Sequence, residues 1–460
     1  MSSAKGGIVR TLRFKFRNTP ETSDKLTKAI GQAGVEIGKV SIVHKGKHYT
    51  VNDIEISLAD EDALKKLIEW VSALKEVTIV RVMDDVLKLH QNGKIKMVGT
   101  VPIDSISDLR RVYTPGVADV CKLIQAHPEW KDHYTSIPYS IAIVTDGTAI
   151  LGLGNIGAAA GMPVMEGKSA LMYQFVGVKG IPILLDTTDT EEVIATIKHI
   201  APTFGAIHME DFASPRCFEI EGRLEKELDI PVMQDDQQGT AVVVIAGLIN
   251  ACKLTGVKLE KAKIGMVGLG AAGLIIGEFI LRFTGNPTLG TARTEASIQR
   301  HVARGGIASN FDEIMQKADI VICTSGVRGL IKPEMIRKGQ IIFALTNPFP
   351  EIMPEQAIAA GAAIATDGRT VNNLVGYPGI WRGTLDAKAK KINWAMYRAA
   401  ILAIAGVTKE GELIPSPLDP KVHLAVTKSV ARAAMESGMA QRHLDEDYFE
   451  DTELRFPLDM

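Results

Sequence analysis

Cysteine is scarce and unorganised. Cys121, Cys217, Cys252 and Cys323 lie scattered through 460 positions with no CxxC spacing. That excludes a zinc knuckle or a disulfide framework and makes a reducing, cytoplasmic setting the default. Charge of one sign is also lacking. The formal net charge is −2, so the chain projects no field for nucleic acid or an anionic membrane surface. No apolar run reaches the ~18 uninterrupted residues of a bilayer span, and Met1 to Phe16 alternates basic and apolar residues without a signal-peptide core. What remains is the mix of a soluble globular protein, 46% hydrophobic and 23% charged. The chain is too long for one core, so two or three domains are expected.

The chemistry concentrates at Pro231-Val232-Met233-Gln234-Asp235-Asp236-Gln237-Gln238-Gly239-Thr240. An apolar, β-branched approach ends in two adjacent carboxylates. The pattern predicts a buried strand running into a helix that begins near Thr240. Acids at such a junction cost several kcal/mol unless paired or metal-bound. A second stretch, Ile207-His208-Met209-Glu210-Asp211-Phe212, also sets paired acids behind an apolar run. Three or four carboxylates at two strand ends suit a hard divalent cation, Mg²⁺ or Mn²⁺.

In chain order, residues 8–16 alternate at period two and predict a strand. A helix over 22–33 capped by Gly34, strands near 35–44 and 49–58, a helix over 61–74 with Leu64, Leu67, Ile68 and Val71 on one face, and a strand over 77–82 complete a βαββαβ order. That order gives a ferredoxin-like sandwich. Residues 84–98 read as a connecting helix and turn, and Pro115 suits the first turn of a helix. From 141 onward strands and helices alternate: strands at 141–145, 181–185, 206–209 and 230–234, helices at 190–201 and 215–228. Such a series builds a mainly parallel sheet.

Two glycine motifs compete for a dinucleotide. Gly152, Gly154 and Gly157 form GxGxxG, but a lone match is weak. The following segment is expected to break at Pro163, too soon for a nucleotide-fold helix, with Lys168 just ahead of an apolar helix. We read 152–157 as tight packing. Lys263 to Val267 predicts a strand, Gly268-Leu269-Gly270-Ala271-Ala272-Gly273 a turn, and Leu274 to Phe283 a helix. Strand, glycine turn and helix together make the phosphate-binding arrangement of a Rossmann fold. Two later strands end in Thr324 and Asn347. About 20 residues beyond the fingerprint an NAD site often carries an acid; here stand Thr291, Ala292 and Arg293. An arginine can pair a 2′-phosphate, so NAD and NADP both stay open. Val371 to Gly383 reads as a pocket-lining loop, helices are expected at 386–404 and 421–438, and the last twenty residues as an arm or surface tail.

Residues 8–83 resemble an ACT domain in pattern, though Ser23 or Asp24 stands where such domains carry a glycine. That implies either a small effector bound between copies or a dimerisation module. Arg111 to Ala118, Val144 to Gly147, Glu166 to Ser169, Met209 to Phe212, Asp235 to Thr240, Gly268 to Gly273, Thr346 to Pro348, Asn372-Asn373 and Pro378-Gly379 occur in the order found in malic enzymes. Over about 90–400 the chain resembles that family, in its shorter prokaryotic type. The fold implied is an α/β substrate domain plus a Rossmann-type NAD(P) domain, behind the ACT-like module. The domains are expected at 1–84, 85–245 and 246–440, with an arm at 441–460.

The resemblance implies oxidative decarboxylation of L-malate to pyruvate and CO₂, with NAD or NADP and Mg²⁺ or Mn²⁺, in a homodimer or higher oligomer. It implies Lys168 as general base, its pKa lowered by desolvation, and Tyr113 as the acid. Glu210, Asp211 and Asp236 would hold the metal, with Asp235 beside Lys168. Asn347 and Asn373 would meet nicotinamide and substrate. Cofactor contacts would come from Gly268, Gly270, Ala271, Ala272, Gly273, Arg293, Thr324 and Asn347. One departure is Ala149, where many larger relatives carry a substrate-gripping arginine. The alternatives are a malolactic enzyme, which releases lactate, and an effector-binding regulatory protein with an inactive core.

Overall fold

The computed structural model describes residues 8–32 and 35–454. The chain divides into two compact units, up to Lys96 and from Met97 onward. In the first, β1 (Ile8–Arg17), β2 (Glu36–Lys45), β3 (Tyr49–Leu58) and β4 (Val77–Asp84) form one antiparallel sheet in the order β2-β3-β1-β4. Alternation along β1 buries Leu12, Phe14 and Phe16 while Lys15 and Arg17 face water. Each such apolar side chain contributes roughly 1.5–3 kcal/mol. Helices Pro20–Gln32 and Glu61–Ser72 cover that face with Leu26, Ile30, Leu64, Leu67 and Val71. Asp60 caps the second helix by accepting from the Ala63 amide at 2.8 Å, which satisfies an otherwise orphaned donor. The expected βαββαβ sandwich is present; Gly34, expected as the first helix's cap, lies outside the described residues.

The second unit carries two parallel sheets. β5 (Ser140–Thr145), β6 (Lys179–Leu184), β7 (Ala206–Met209) and β8 (Val232–Gln234) run in the order β6-β5-β7-β8. β9 (Ile264–Val267), β10 (Leu289–Thr291), β11 (Ile307–Ala308), β12 (Ile320–Cys323), β13 (Ile341–Ala344) and β14 (Ile364–Asp367) run β11-β10-β9-β12-β13-β14. This is the doubly wound order, whose strand sequence reverses between β9 and β12 and opens a crevice there. Helices cover both faces, so β5, β7, β9, β12 and β13 are buried along their whole length and read as unbroken apolar runs rather than alternation.

The helix Thr240–Thr255 runs from β8 toward the second sheet, and Ala241 through Leu248 are all buried. With the preceding turn it makes 21 residues that are long and apolar enough, by length and composition, to cross a membrane, which the sequence reading had not expected. Here it is a core helix, apolar all round because protein surrounds it.

Three expectations are corrected. The segment after Gly157 does not break at Pro163: one helix, Ala158–Val176, runs through it, and Lys168 lies inside that helix rather than ahead of it. Residues 371–383 are not all loop, because Tyr377–Asp386 is a helix with every residue buried. The C-terminal stretch, as far as Leu454, is no free tail. Tyr448 donates to Asp386 at 2.7 Å, and Asp386 also receives Arg382 at 2.8 Å and Tyr139 at 3.0 Å. A carboxylate with no exposure is tolerated there because three donors compensate it.

Candidate active site

β8 delivers the acid pair. Its last residue, Gln234, is followed by one wide π-type turn, Asp235–Gly239, before the helix Thr240–Thr255 begins. The turn sends the two acids apart. Asp235 is fully buried and accepts from Lys168 Nζ on the neighbouring helix and from Asn373 Nδ2 at 2.5 Å. Asp236 turns toward Asp211, whose backbone N–H it accepts at 2.7 Å. A Cβ on Gly239 would lie 1.8 Å from Asp235 Oδ1, so glycine is what lets the turn close on that carboxylate.

β7 delivers the second pair. Glu210 Oε1 lies 2.9 Å from Lys168 Nζ, and its Oε2 is 2.7 Å from His208 Nε2. Asp211 has φ +57°, a left-handed conformation uncommon outside glycine and the kind of backbone outlier that collects at functional sites. Glu210, Asp211 and Asp236 each offer an oxygen within 4.8 Å of the others. Three hard oxygen donors so close fit Mg²⁺ or Mn²⁺, and their mutual repulsion is what a cation would relieve. A second grouping, His208 with Glu210 and Asp235, fits poorly. His208 Nδ1 accepts the Trp381 indole N–H at 2.9 Å, so Nε2 carries the proton and donates to Glu210, leaving neither nitrogen for a metal.

The charges bear on one another. Burial alone would push the Lys168 pKa down, as the sequence reading expected. The charges of Asp235 and Glu210 outweigh burial and hold it well above the ordinary lysine value, which corrects that expectation. Burial pushes Asp235 up to about 6 against the pull of Lys168, and burial, with Glu210's charge, raises Asp236. His208 is pushed down to about 3 by burial, so it is neutral.

These groups border a cleft of about 670 Å³. Lys168, Glu210, Asp211 and Asp236 line it, and so do Ala271, Ala272, Thr324, Asn347 and Asn373. Asp235 sits behind Lys168. Gly268 and Gly273 form the packed base of the fingerprint: a Cβ on Gly273 would lie 2.0 Å from the Gly268 carbonyl, and Thr324 Oγ1 donates to that same carbonyl at 3.0 Å. Gly270 caps the following helix, Ala271–Thr284. Arg293 is exposed just after β10 and is not among the lining residues. The other glycine motif does pack tightly at one position, since a Cβ on Gly152 would meet the Asn347 carbonyl at 2.3 Å. Tyr113 is not brought to the cleft; it is 67% exposed and does not line it. The stretch read as pocket-lining does supply Val371, Asn372, Asn373, Leu374 and Tyr377 to the cleft, but sequence reasoning did not foresee the Tyr377 ring 4.5 Å from Lys168 Nζ or the His208–Trp381 pair. His208 stood in view two residues before Glu210, but its indole partner is 173 positions away.

Residues 92–225 match the malic enzyme N-terminal domain and residues 237–302 the malic enzyme NAD binding domain. The NAD-dependent malic enzyme 1 of Bacillus subtilis is 52% identical over 93% of this chain and 98% of its own. A bifunctional malic/malolactic enzyme of the same species is 41% identical over 79% of this chain and 95% of its own. Among solved structures, a malic enzyme from Pyrococcus horikoshii superposes with a TM-score of 0.74 at 38% identity, covering 79% of this chain and 93% of that one.

Proposed function

The chain belongs to the malic enzyme family, and from that premise we propose that the cleft around Lys168 carries out the oxidative decarboxylation of L-malate to pyruvate and CO₂ with reduction of NAD(P)⁺. The observation that carries this is Lys168 set between Asp235 and Glu210 at a cleft that also holds the three-carboxylate cluster and the fingerprint residues Ala271 and Ala272.

Lys168 Nζ takes the proton of the C2 hydroxyl. Asp235, itself held by the Asn373 amide, fixes its position, and the Tyr377 ring closes its other side. Two carboxylates hold the ammonium charged, so Lys168 acts as a base only after releasing a proton to solvent; Glu210, if it held a cation, would bind the ammonium less strongly and make that release easier. Glu210, Asp211 and Asp236 would hold a divalent cation, which would supply Lewis-acid polarisation of the C2 oxygen, and a nicotinamide in the crevice would supply the hydride acceptor. Asn347 and Asn373 orient nicotinamide and substrate. When the C3 carboxylate leaves as CO₂, C3 takes up a proton; the family resemblance gives that role to Tyr113, which within one chain lies outside the cleft. Gly268, Gly270, Gly273 and Thr324 shape the dinucleotide crevice; Arg293, exposed just after β10, would reach the ribose end only by turning toward it.

The family includes relatives named for NAD and for NADP. β10 ends without an acid, so both remain substrates to compare. Initial rates with malate, each dinucleotide, and Mn²⁺ present or chelated test the reading. Metal-dependent growth of NAD(P)H absorbance is expected; lactate formed without net NAD(P)H would establish the malolactic reaction instead. We assign the first unit to dimerisation or effector binding in a cytoplasmic homo-oligomer. Titration calorimetry of the whole protein with candidate small effectors separates these two roles.

A further inference from the structure

Two loops on the dinucleotide side of the cleft are tied to a single carboxylate. β12 ends at Cys323 and β13 at Ala344. Just beyond those ends, Thr324, Gly326, Thr346 and Asn347 line the cleft. Glu351 has no exposure. Its Oε1 accepts the Ser325 N–H at 2.7 Å, the Ser325 hydroxyl at 2.7 Å and the Thr346 hydroxyl at 2.5 Å. Its Oε2 accepts the Thr346 N–H at 3.3 Å. Thr346 Oγ1 in turn accepts the Gly326 N–H at 3.0 Å, so the loops are also held to each other.

Glu351 meets four donors and no acceptor, which suits the ionised, acceptor-only carboxylate. The donors offset the cost of burying it, yet all of them are neutral. Among the described residues no cation pairs with it. The basic side chains that follow β12 are engaged elsewhere: Arg328 lies over the Phe349 ring at 4.4 Å, and Lys332 donates to the Gly329 carbonyl at 2.9 Å. A negative charge without a counter-ion therefore sits behind the cleft wall, where water does not screen it. One neighbour already feels it: burial, and then the Glu351 charge, hold the Cys323 thiol well above its ordinary value.

We propose that Glu351 is a positioning residue whose charge biases the cleft toward the oxidised dinucleotide over the reduced one. The nicotinamide ring is positively charged when oxidised and neutral when reduced, while the rest of the dinucleotide is the same. A fixed negative charge behind the wall attracts only the first. The bias favours capture of the hydride acceptor and eases departure of the reduced product, a step that limits turnover in many enzymes. The inference rests on the dinucleotide reading of this cleft. A glutamate kept only to hold the loops would serve both redox forms alike.

The test is equilibrium binding to the full-length protein without malate. NADH and NADPH are titrated by their own fluorescence, and NAD⁺ and NADP⁺ by displacing them. The readout is the Kd of the reduced form divided by that of the oxidised form. Glu351→Gln keeps the size of the side chain and removes its charge, and should lower that ratio by roughly fivefold or more. Glu351→Asp keeps the charge on a shorter stem; it should weaken both forms and hold the ratio near wild type. Equal losses of both forms in Glu351→Gln, or a ratio lost equally in Glu351→Asp, make the residue a loop tether and overturn the proposal while the dinucleotide reading stands. A wild-type protein that binds neither pair overturns both. If Glu351→Gln does not fold, Ser325→Ala decides. It takes the hydroxyl donor from the carboxylate and leaves the charge, so the ratio should rise, and an unchanged ratio overturns the proposal.

Discussion

Lys168 is defined by what touches it. Both oxygens of Glu210 are engaged, one with Lys168 and one with His208, and His208 is itself fixed by Trp381. The indole therefore sets the imidazole tautomer, and the imidazole orients a proposed metal ligand. Groups of this kind typically tune metal affinity 10–100-fold. His208→Phe should weaken Mn²⁺ binding by roughly 10-fold or more while leaving the fold intact, as read by electron paramagnetic resonance titration of Mn²⁺; unchanged affinity would remove the histidine from the site. Lys168→Ala should lower kcat by about 10²–10⁴-fold with dinucleotide affinity retained, measured by initial rates and by fluorescence quenching. The acids and the lysine were legible because buried charge in an apolar run has few other uses. Tyr377 was not, since an aromatic beside glycine and proline reads equally well as loop packing. The expected fall in the lysine's pKa failed for a related reason: burial is visible in a sequence, but the counter-charges at β7 and β8 become neighbours only in the fold.

The element that organises the site is the turn between β8 and the helix Thr240–Thr255. Asp235 and Asp236 are adjacent in sequence, yet the turn faces one toward Lys168 and the other toward Asp211. A simple strand-to-helix junction, as the sequence predicted, would not account for that division. The wide turn has no periodic signature to read. Gly239→Ala forces a methyl against Asp235 Oδ1 and should displace the carboxylate from Lys168, lowering kcat while malate-free cofactor binding stays at the wild-type level. On the other side of the cleft, Gly273→Ala sets a methyl on the Gly268 carbonyl, with Thr324 Oγ1 at 2.8 Å. It should weaken dinucleotide binding by about 10-fold or more, a change of ~1.4 kcal/mol, with Mn²⁺ binding unaffected; equal dinucleotide affinity would show that the turn can widen. The fingerprint was legible because strand, glycine turn and helix follow in order. The helix Ala158–Val176 was misjudged because Pro163 breaks helices in isolation, whereas tertiary packing here carries the helix through it.

Across the whole molecule, hydrophobic burial and titrating groups divide unevenly. The first unit has its own core of Leu12, Phe14, Leu67 and their neighbours, while the larger unit holds the cores around both parallel sheets. Separate cores in the two units predict thermal unfolding in more than one step. Buried imidazoles whose pKa values burial pushes down, His208, His301 and His423, all lie in the larger unit. His301 shows the cause. Its ring is packed against Gly277, Gly290 and Gly306, each so close that a Cβ would lie within about 3.0 Å of it, and Nε2 is held by the Thr288 carbonyl at 3.0 Å. A histidine kept neutral in the fold binds a proton once unfolded, so its effect is nil above about pH 6.5 and destabilising as pH falls below it. In the first unit Asp53, Asp62 and Glu76 have lowered pKa values through their ion pairs and hydrogen bonds. Their stabilisation is lost only below the ordinary carboxylate range. Buried carboxylates of the larger unit act with the opposite sign. Glu221, pushed up to about 8 by burial, and Asp235 and Asp236, up to about 6, take up protons in the fold that the unfolded chain does not. Between about pH 7.5 and 5.5 they offset the histidines, and the imidazole contribution is read by calorimetry of a variant rather than from the net shift. His301→Gln keeps an N–H for the Thr288 carbonyl but cannot titrate. Relative to wild type it should become more stable as pH falls below about 6.5, and an unchanged difference across that range would mean the imidazole is already protonated in the fold.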